Sequence, residues 1–214
     1  MAWSWSSAPF GKLTWFRLAG ARREVVALSS LDPLEAGKAL FEGASATEAN
    51  LTALAQSGTL ATFRIVHFAT HGYLHPRNPL LSSVVLAEAG VGEGKAAGLD
   101  GYVTASDWLG LRLRSDLTVV AACDSGAGEP VSGEGMVGLP FGLFAAGNRS
   151  TLLTLWSVYD EATAEFIRRF HSHVKAGKRF STALALTKQE FMAGEAGAEW
   201  RAPAFWAPFV LYGT

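Results

Sequence analysis

The sequence predicts an α/β fold in which a mostly parallel central sheet carries helices on both faces. Short apolar runs rich in β-branched residues predict buried strands. Helical patterns, with apolar residues three and four positions apart, lie between and after these runs. Strands that alternate with helices form parallel sheets, and reactive side chains gather at the carboxyl ends of such strands.

The strands are predicted from apolar runs that end in small or turn-forming residues. Buried strands are expected at residues 24–28, 63–69, 117–122 and 150–158. A weaker run at 83–86 predicts a short strand, and the aromatic tail at 205–212 predicts a last one, because β-branched and aromatic residues favour strands.

Helical periodicity indicates four helices, at residues 33–40, 47–55, 161–174 and 181–192. Asp32 precedes Pro33, an order that suits an N-cap followed by proline at the first helical position. Asp160 is a candidate N-cap for the third helix, and Gly177 is a candidate stop.

Composition narrows the class of protein. The chain has 214 residues, of which 49% are hydrophobic, so it fits one domain with a sizeable core. Its formal net charge of -1 gives no reason to expect nucleic acid or an anionic membrane as a partner. No apolar run reaches the roughly 18 residues of a membrane-spanning helix, and the N-terminal segment is a poor signal peptide. We expect a cytoplasmic protein, and we expect neither a cofactor nor a metal.

Two reactive side chains stand at the exits of predicted strands. The strand at 63–69 leads directly to His71 and Gly72, and the strand at 117–122 leads directly to Cys123, the only cysteine of the chain. If these strands are parallel neighbours, thiol and imidazole meet at one edge of the sheet. The imidazole can then take the thiol proton and later protonate a leaving amine. The backbone N–H groups of Gly72 and Cys123 are candidate donors of an oxyanion hole.

These residues also have plain structural interpretations. Cys123 alone fits a buried small residue, and His71 alone fits a turn. His67 is expected to be a core histidine, because its spacing from His71 would pair two metal ligands on a helix but not on a strand. Residues 133–138 match a dinucleotide fingerprint, but they lie too far from the preceding strand for the tight strand-to-helix turn that the fingerprint needs. Nucleotide binding there is therefore only a weak hypothesis.

Six stretches of the sequence carry a more specific signal. They are HFATHG (67–72), GLDGYVTASD (98–107), AACDSG (121–126), GEG (133–135), LWSVYD (155–160) and FWAPFVLYG (205–213). Together they resemble the CHAT family, caspase-like proteases found beside tetratricopeptide repeats and related to caspases and separase. The resemblance implies a caspase-like three-layer sandwich and a Cys–His dyad formed by Cys123 and His71.

The resemblance also implies where substrate binds. An extended substrate would pair with the strand that follows the nucleophile's helix, by β-augmentation. The residues then expected to line the cleft are Trp156, Ser157, Val158 and Tyr159. Asp160 is the first candidate for an acidic contact to a basic P1 side chain, and Asp124 is the second. Alternatively, Asp160 is only the N-cap of the next helix.

The resemblance divides the chain into a short N-terminal extension or remnant, residues 1–23, and a CHAT-like peptidase domain, residues 24–214. It implies a cysteine endopeptidase that cleaves a protein partner in stress or defence. A regulatory partner or sensor domain, such as a tetratricopeptide-repeat protein, would gate its activity. The main alternative is a catalytically silent module of the same fold that binds a partner.

Overall fold

A computed structural model of the chain describes residues 3–7, 11–15, 18–31, 40–73, 75, 77–87, 99–121, 134–156 and 159–214. The described strands are β1 (Trp3–Ser7), β2 (Gly11–Trp15), β3 (Ile65–Phe68), β4 (His71–Tyr73), β5 (Ser83–Val85), β6 (Tyr102–Thr104), β7 (Leu117–Val120), β8 (Ser150–Thr154) and β9 (Phe209–Gly213). The described α-helices are α1 (Ala19–Leu31), α2 (Glu48–Gln56), α3 (Ala105–Trp108), α4 (Glu134–Ala145), α5 (Asp160–Lys175) and α6 (Phe180–Ala193). None of these helices has the length and apolar character needed to cross a membrane.

The central sheet has the strand order β3-β7-β8-β9. β3, β7 and β8 are parallel, and β9 runs antiparallel to β8. Ile65 pairs with Leu117, and Phe68 pairs with Val120. The predicted α/β class, with a mostly parallel central sheet, is therefore confirmed.

Two apolar clusters cover the two faces of this sheet. On one face, Leu117 and Val119 of β7 pack in a cluster with Phe166 of α5 and Phe191 of α6. On the other face, Val120 belongs to a cluster that includes helical side chains from α2, α3 and α4. Side chains alternate between the faces of a strand, so a run that is apolar at every position is buried on both sides. This is the three-layer sandwich that the sequence predicts.

A second sheet lies at the end of β3. Its strand order is β4-β5-β6, all antiparallel, and β4 begins three residues after β3 ends. β1 and β2 form a separate antiparallel hairpin. The chain therefore leaves the central sheet just before His71 and enters a smaller sheet there.

The predicted strand at 24–28 is wrong, because these residues lie within α1. Val25 and Val26 suggest a strand locally, but burial follows a helical period. Glu24 is buried and Leu28 packs into the core, while Val26 is exposed. In a strand the three alternate residues would share one face. Packing of α1 against α5 decides the conformation.

Other predicted elements are confirmed with changed ends. The strand predicted at 150–158 ends at Thr154, and the predicted tail strand begins at Phe209 because Pro203 opens a 3-10 turn. The helices at 47–55, 161–174 and 181–192 are present, and Thr47 caps the first of them by accepting a hydrogen bond from the N–H of Asn50. The helix predicted at 33–40 lies almost wholly outside the described residues.

Asn148 holds the starts of β7 and β8 together. Its Oδ1 accepts hydrogen bonds from Ser115 (2.8 Å) and Thr118 (3.0 Å). Its Nδ2 donates to the carbonyl of Ser150 (2.7 Å) and to the hydroxyl of Thr151 (2.8 Å). The Asn148 amide is buried, so when a partner is lost no water can replace it as a hydrogen-bond partner.

We expect Asn148→Ala to lower the free energy of unfolding by roughly 2–4 kcal/mol, because it strands several buried polar groups at once. Urea unfolding followed by circular dichroism measures the change. Ser115→Ala is the matched control, since Thr118 still donates to Asn148, and we expect a loss of about 1 kcal/mol. Equal effects of the two variants would contradict a central role for the amide.

Candidate active site

The exits of β3 and β7 lie side by side. The two strands pair in parallel, and the N–H of Ala121 donates to the carbonyl of Phe68 at 3.2 Å. Phe68 pairs with Val120, and from that pair His71 and Cys123 each stand three residues further along the chain. The arrangement brings the two strand exits together as the sequence predicts.

Several of the predicted site residues lie outside the described residues. They are Cys123, Asp124, Ser157 and Val158. Their roles stay predictions. The residues that the structure does place are described in the next paragraphs.

His71 is the first residue of β4 and is only 8% exposed. It pairs with Val85 of β5, and Gly72 pairs with Val84. The preceding residue, Thr70, is tied to the same strand, since its hydroxyl donates to the carbonyl of Val85 at 2.5 Å. His71 is thus a buried side chain on a strand held firmly to its neighbour, rather than a residue of a free turn.

Trp15, at the end of the N-terminal hairpin, packs against His71. The two ring centroids are 4.9 Å apart, with the ring planes inclined by 35°. The indole Nε1–H donates a hydrogen bond to the Tyr102 hydroxyl at 3.0 Å. Neither residue could be predicted from the sequence as part of the site, because no local pattern links an N-terminal hairpin to a strand exit far along the chain.

The predicted cleft residues beyond β8 present an aromatic surface. Trp156 is 47% exposed, and its indole N–H donates to the carbonyl of Ala204. Tyr159 is 76% exposed and lies 5.9 Å from Phe205 between ring centroids. These two rings are available to contact another molecule.

Asp160 has a defined structural contact. Its Oδ2 accepts a hydrogen bond from the backbone N–H of Gly20, in the first turn of α1, at 2.9 Å. The N-cap of α5 is Tyr159, so the alternative role of Asp160 as the N-cap of its own helix is wrong. A Cβ on Gly20 would lie 2.3 Å from the Asp160 Cβ, so only glycine permits this approach.

His67 is a core histidine, as predicted, and its partner is Glu24. The imidazole Nε2 bonds to the buried Glu24 carboxylate, and its ring lies 5.6 Å from that of His171. Burial, together with the neighbouring His67, lowers the pKa of His171 to about 3. This cluster joins α1, β3 and α5 on the face of the central sheet that α5 covers.

The glycine motif at 133–138 has a packing explanation at its last residue. A Cβ on Gly138 would lie 2.0 Å from the carbonyl oxygen of Pro79, so α4 and the 3-10 turn at Pro79–Leu81 touch through their backbones. A Cβ on Gly142 would meet the carbonyl oxygen of Ala105 at 2.3 Å. Close helix packing thus explains Gly138 without a bound nucleotide.

A cavity of about 230 Å³ lies away from His71, between α2 and the segment around α3. Its lining includes Val103, which pairs with Val84 and so projects to the face of the small sheet opposite His71. Burial raises the pKa of the Glu48 carboxyl at its edge to about 7, with the charges of Asp107 and Asp100 acting in the same direction. The N–H of Gly101, which donates to Glu48 at 3.0 Å, opposes this rise.

Comparison with known proteins identifies the wider family. A family model described as a CHAT domain matches residues 4–214. Tetratricopeptide repeat protein 28 of Mus musculus is 31% identical to the chain over 112 residues, which are 52% of this chain and 4% of that protein. The protein of the same name from Homo sapiens is 30% identical over 112 residues, with the same shares covered. The chain therefore spans a small fraction of the length of these relatives. The match begins within residues 1–23, and the division after residue 23 stays a prediction.

Glu48 gives a pH-dependent test of the cavity's charge environment. Its folded pKa of about 7 lies above its ordinary 4.5, so the folded state binds the proton more tightly, and stability falls as pH rises from about 4.5 to 7. We expect Glu48→Gln, which keeps an acceptor for Gly101, to stabilise the protein by on the order of 1–3 kcal/mol at pH 8 and to have little effect at pH 4. Thermal unfolding at both pH values, with exposed Glu195→Gln as control, measures this. A loss of stability at pH 8 would show that the charged carboxylate is needed.

Proposed function

Because this chain belongs to the CHAT domain family, we propose that it is a caspase-like cysteine endopeptidase with Cys123 as nucleophile and His71 as general base. The observation that carries the proposal is the register of β3 and β7. The two strands are parallel neighbours, and both residues follow the last matched pair by the same number of positions. A thiol and an imidazole that leave adjacent parallel strands together reach one edge of the sheet.

The proposed reaction needs few groups. His71 takes the proton of the Cys123 thiol, and the thiolate attacks the carbonyl carbon of the scissile peptide bond. The N–H groups of Gly72 and Cys123 stabilise the oxyanion, and the protonated imidazole gives its proton to the leaving amine. His71 then deprotonates a water molecule, which attacks the thioester, releases the carboxylic acid and restores the thiol. The firm seating of His71 on β4 suits these proton transfers.

Substrate is proposed to lie along the continuation of β8. Trp156 and Tyr159 already present exposed rings there, and Ser157 and Val158 would complete the pairing edge. Asp160 and Asp124 are the candidates for an acidic contact to a basic P1 side chain. One oxygen of Asp160, the first candidate, accepts the Gly20 N–H at 2.9 Å, and Asp124, the second, lies outside the described residues.

The setting proposed for the peptidase follows from its relatives. Both curated relatives are named as tetratricopeptide repeat proteins. We propose that repeats of this kind, in a partner or an attached domain, gate cleavage of a protein substrate. A cytoplasmic location and a role in stress or defence are part of the same proposal.

A catalytically silent interaction module is the second candidate. One observation favours it, namely that His71 is 8% exposed, with Trp15 packed against it. In that case the exposed rings of Trp156 and Tyr159 would bind a partner that is never cut. The two candidates differ in one measurable property, which is turnover.

We expect the purified chain to cleave members of a peptide library, and Cys123→Ala to abolish cleavage. His71→Ala should lower kcat/KM by about 10²–10⁴-fold, the range that general acid–base catalysis contributes. His75→Ala is the matched control, because His75 lies beyond β4 and accepts hydrogen bonds from the N–H groups of Arg77 and Asn78. The mass spectrum of the products also reports the preferred P1 residue.

The same experiment separates the candidates. Equal cleavage by parent and Cys123→Ala would contradict the assigned nucleophile. No cleavage by the parent, while it retains binding to library peptides, would favour the silent module. Alkylation by iodoacetamide gives a second test of the nucleophile. Because Cys123 is the only thiol in the chain, alkylation should abolish cleavage if Cys123 is the nucleophile.

A further inference from the structure

Three strands of the small sheet place one row of side chains beside the proposed catalytic edge. His71 pairs with Val85, and Val85 pairs with Tyr102. Residues directly opposite in antiparallel strands project to the same face of the sheet. His71, Val85 and Tyr102 therefore form a continuous row, with His71 at the end nearest the exit of β3.

Trp15 lies across this row. It is 5% exposed and belongs to a cluster with Tyr73, Val85 and Tyr102. Its indole N–H is bonded to the Tyr102 hydroxyl at one end of the row, and its ring contacts the imidazole of His71 at the other. Tyr102 is itself 1% exposed and is fixed by the sheet.

Two fixed ends leave the indole little freedom. The hydrogen bond has a defined direction, and the row of packed side chains sets the height of the ring above the sheet. An imidazole against such a ring loses the rotamers that would carry it towards the indole. The contact therefore restricts the imidazole of His71 to rotamers that point away from the indole ring of Trp15.

We propose that Trp15 is a positioning residue that holds the His71 imidazole in the orientation required for proton transfer, and that the Tyr102 hydroxyl anchors it. The inference rests on the proposed function, in which His71 exchanges protons with the thiol and the leaving amine. Trp15 is not proposed to act on the substrate or the thiol directly. Its effect passes entirely through the imidazole.

Such a role predicts a specific kinetic pattern. A base that spends less time in the reactive orientation lowers kcat, because misplacement of a catalytic group by about 1 Å costs on the order of 10²-fold. KM should change little, since a side chain that is 5% exposed offers almost no surface to substrate. We expect Trp15→Leu to lower kcat by about 10–100-fold, and Tyr102→Phe, which keeps the ring and removes the anchoring hydroxyl, to lower it by a smaller factor.

Trp108 supplies the matched control. It is another tryptophan, 0% exposed, but it packs against Phe68 in the cluster that includes Val84 and Val103, which project to the face of the small sheet opposite His71. Trp108→Leu therefore removes a buried indole of equal size and loosens the fold without touching the proposed machinery. We expect it to leave kcat within about threefold of the parent at temperatures where both variants are folded.

A spectroscopic measurement tests the contact without relying on turnover. The chain has five histidines, and ¹³C-labelled histidine gives one Cε1–H resonance for each, with His71 assigned from His71→Gln. An indole ring next to an imidazole shifts its resonance by ring current. We expect Trp15→Leu to move the His71 resonance more than any other histidine resonance, and Trp15→Phe, which keeps an aromatic ring, to restore part of both the shift and kcat.

The outcomes are distinct. The positioning role is supported if the parent cleaves peptides and if Trp15→Leu, but not Trp108→Leu, both lowers kcat and moves the His71 resonance. A higher kcat/KM in Trp15→Leu would overturn it, because Trp15 would then cover the base rather than orient it. An equal loss in Trp108→Leu, or an unmoved His71 resonance, would also overturn it. Absence of cleavage by the parent counts against the proposed function, while the resonance still decides whether the contact exists.

Discussion

The parallel pairing of β3 with β7 is the constraint on which the rest of the molecule depends. Ile65 to Phe68 lie opposite Leu117 to Val120 in an unbroken register. Because parallel strands end at the same edge, this register determines where the chain delivers His71. The change of sheet at that point matters equally, since it replaces a free turn by a short strand bonded to β5.

Burial on both faces makes this register hard to change. A shift by one residue would turn Leu117 and Val119 away from α5 and α6 and exchange the two apolar clusters. The hydrogen bonds of Asn148 also tie the start of β7 to the start of β8. The site is thus built on a rigid core. Trp15 reaches it from the N-terminal hairpin and is anchored to Tyr102, which lies at the end of the row away from His71.

The sequence was informative where burial alone determines structure. β3 and β7 are short and mostly apolar, and each end lies within two residues of its predicted position. The run at 24–28 was misassigned because local β-branching was outweighed by packing of α1 on α5. Trp15 and Tyr102 were missed for a different reason. Their contact with each other and with His71 is tertiary, and no periodicity of one segment encodes it. The alternation of Trp3, Trp5, Leu13 and Trp15 could have revealed the hairpin, but not what the hairpin covers.

The proposed peptidase activity requires that the sulfur of Cys123 and the imidazole of His71 leave adjacent strands within reach of each other. A crystal structure of the protein with a peptide aldehyde bound to the thiol measures this directly, through the distance from Sγ to the nearest imidazole nitrogen. We expect a separation of about 4 Å or less, close to hydrogen-bond reach. A separation beyond about 8 Å that no rotamer of either side chain can close would contradict it.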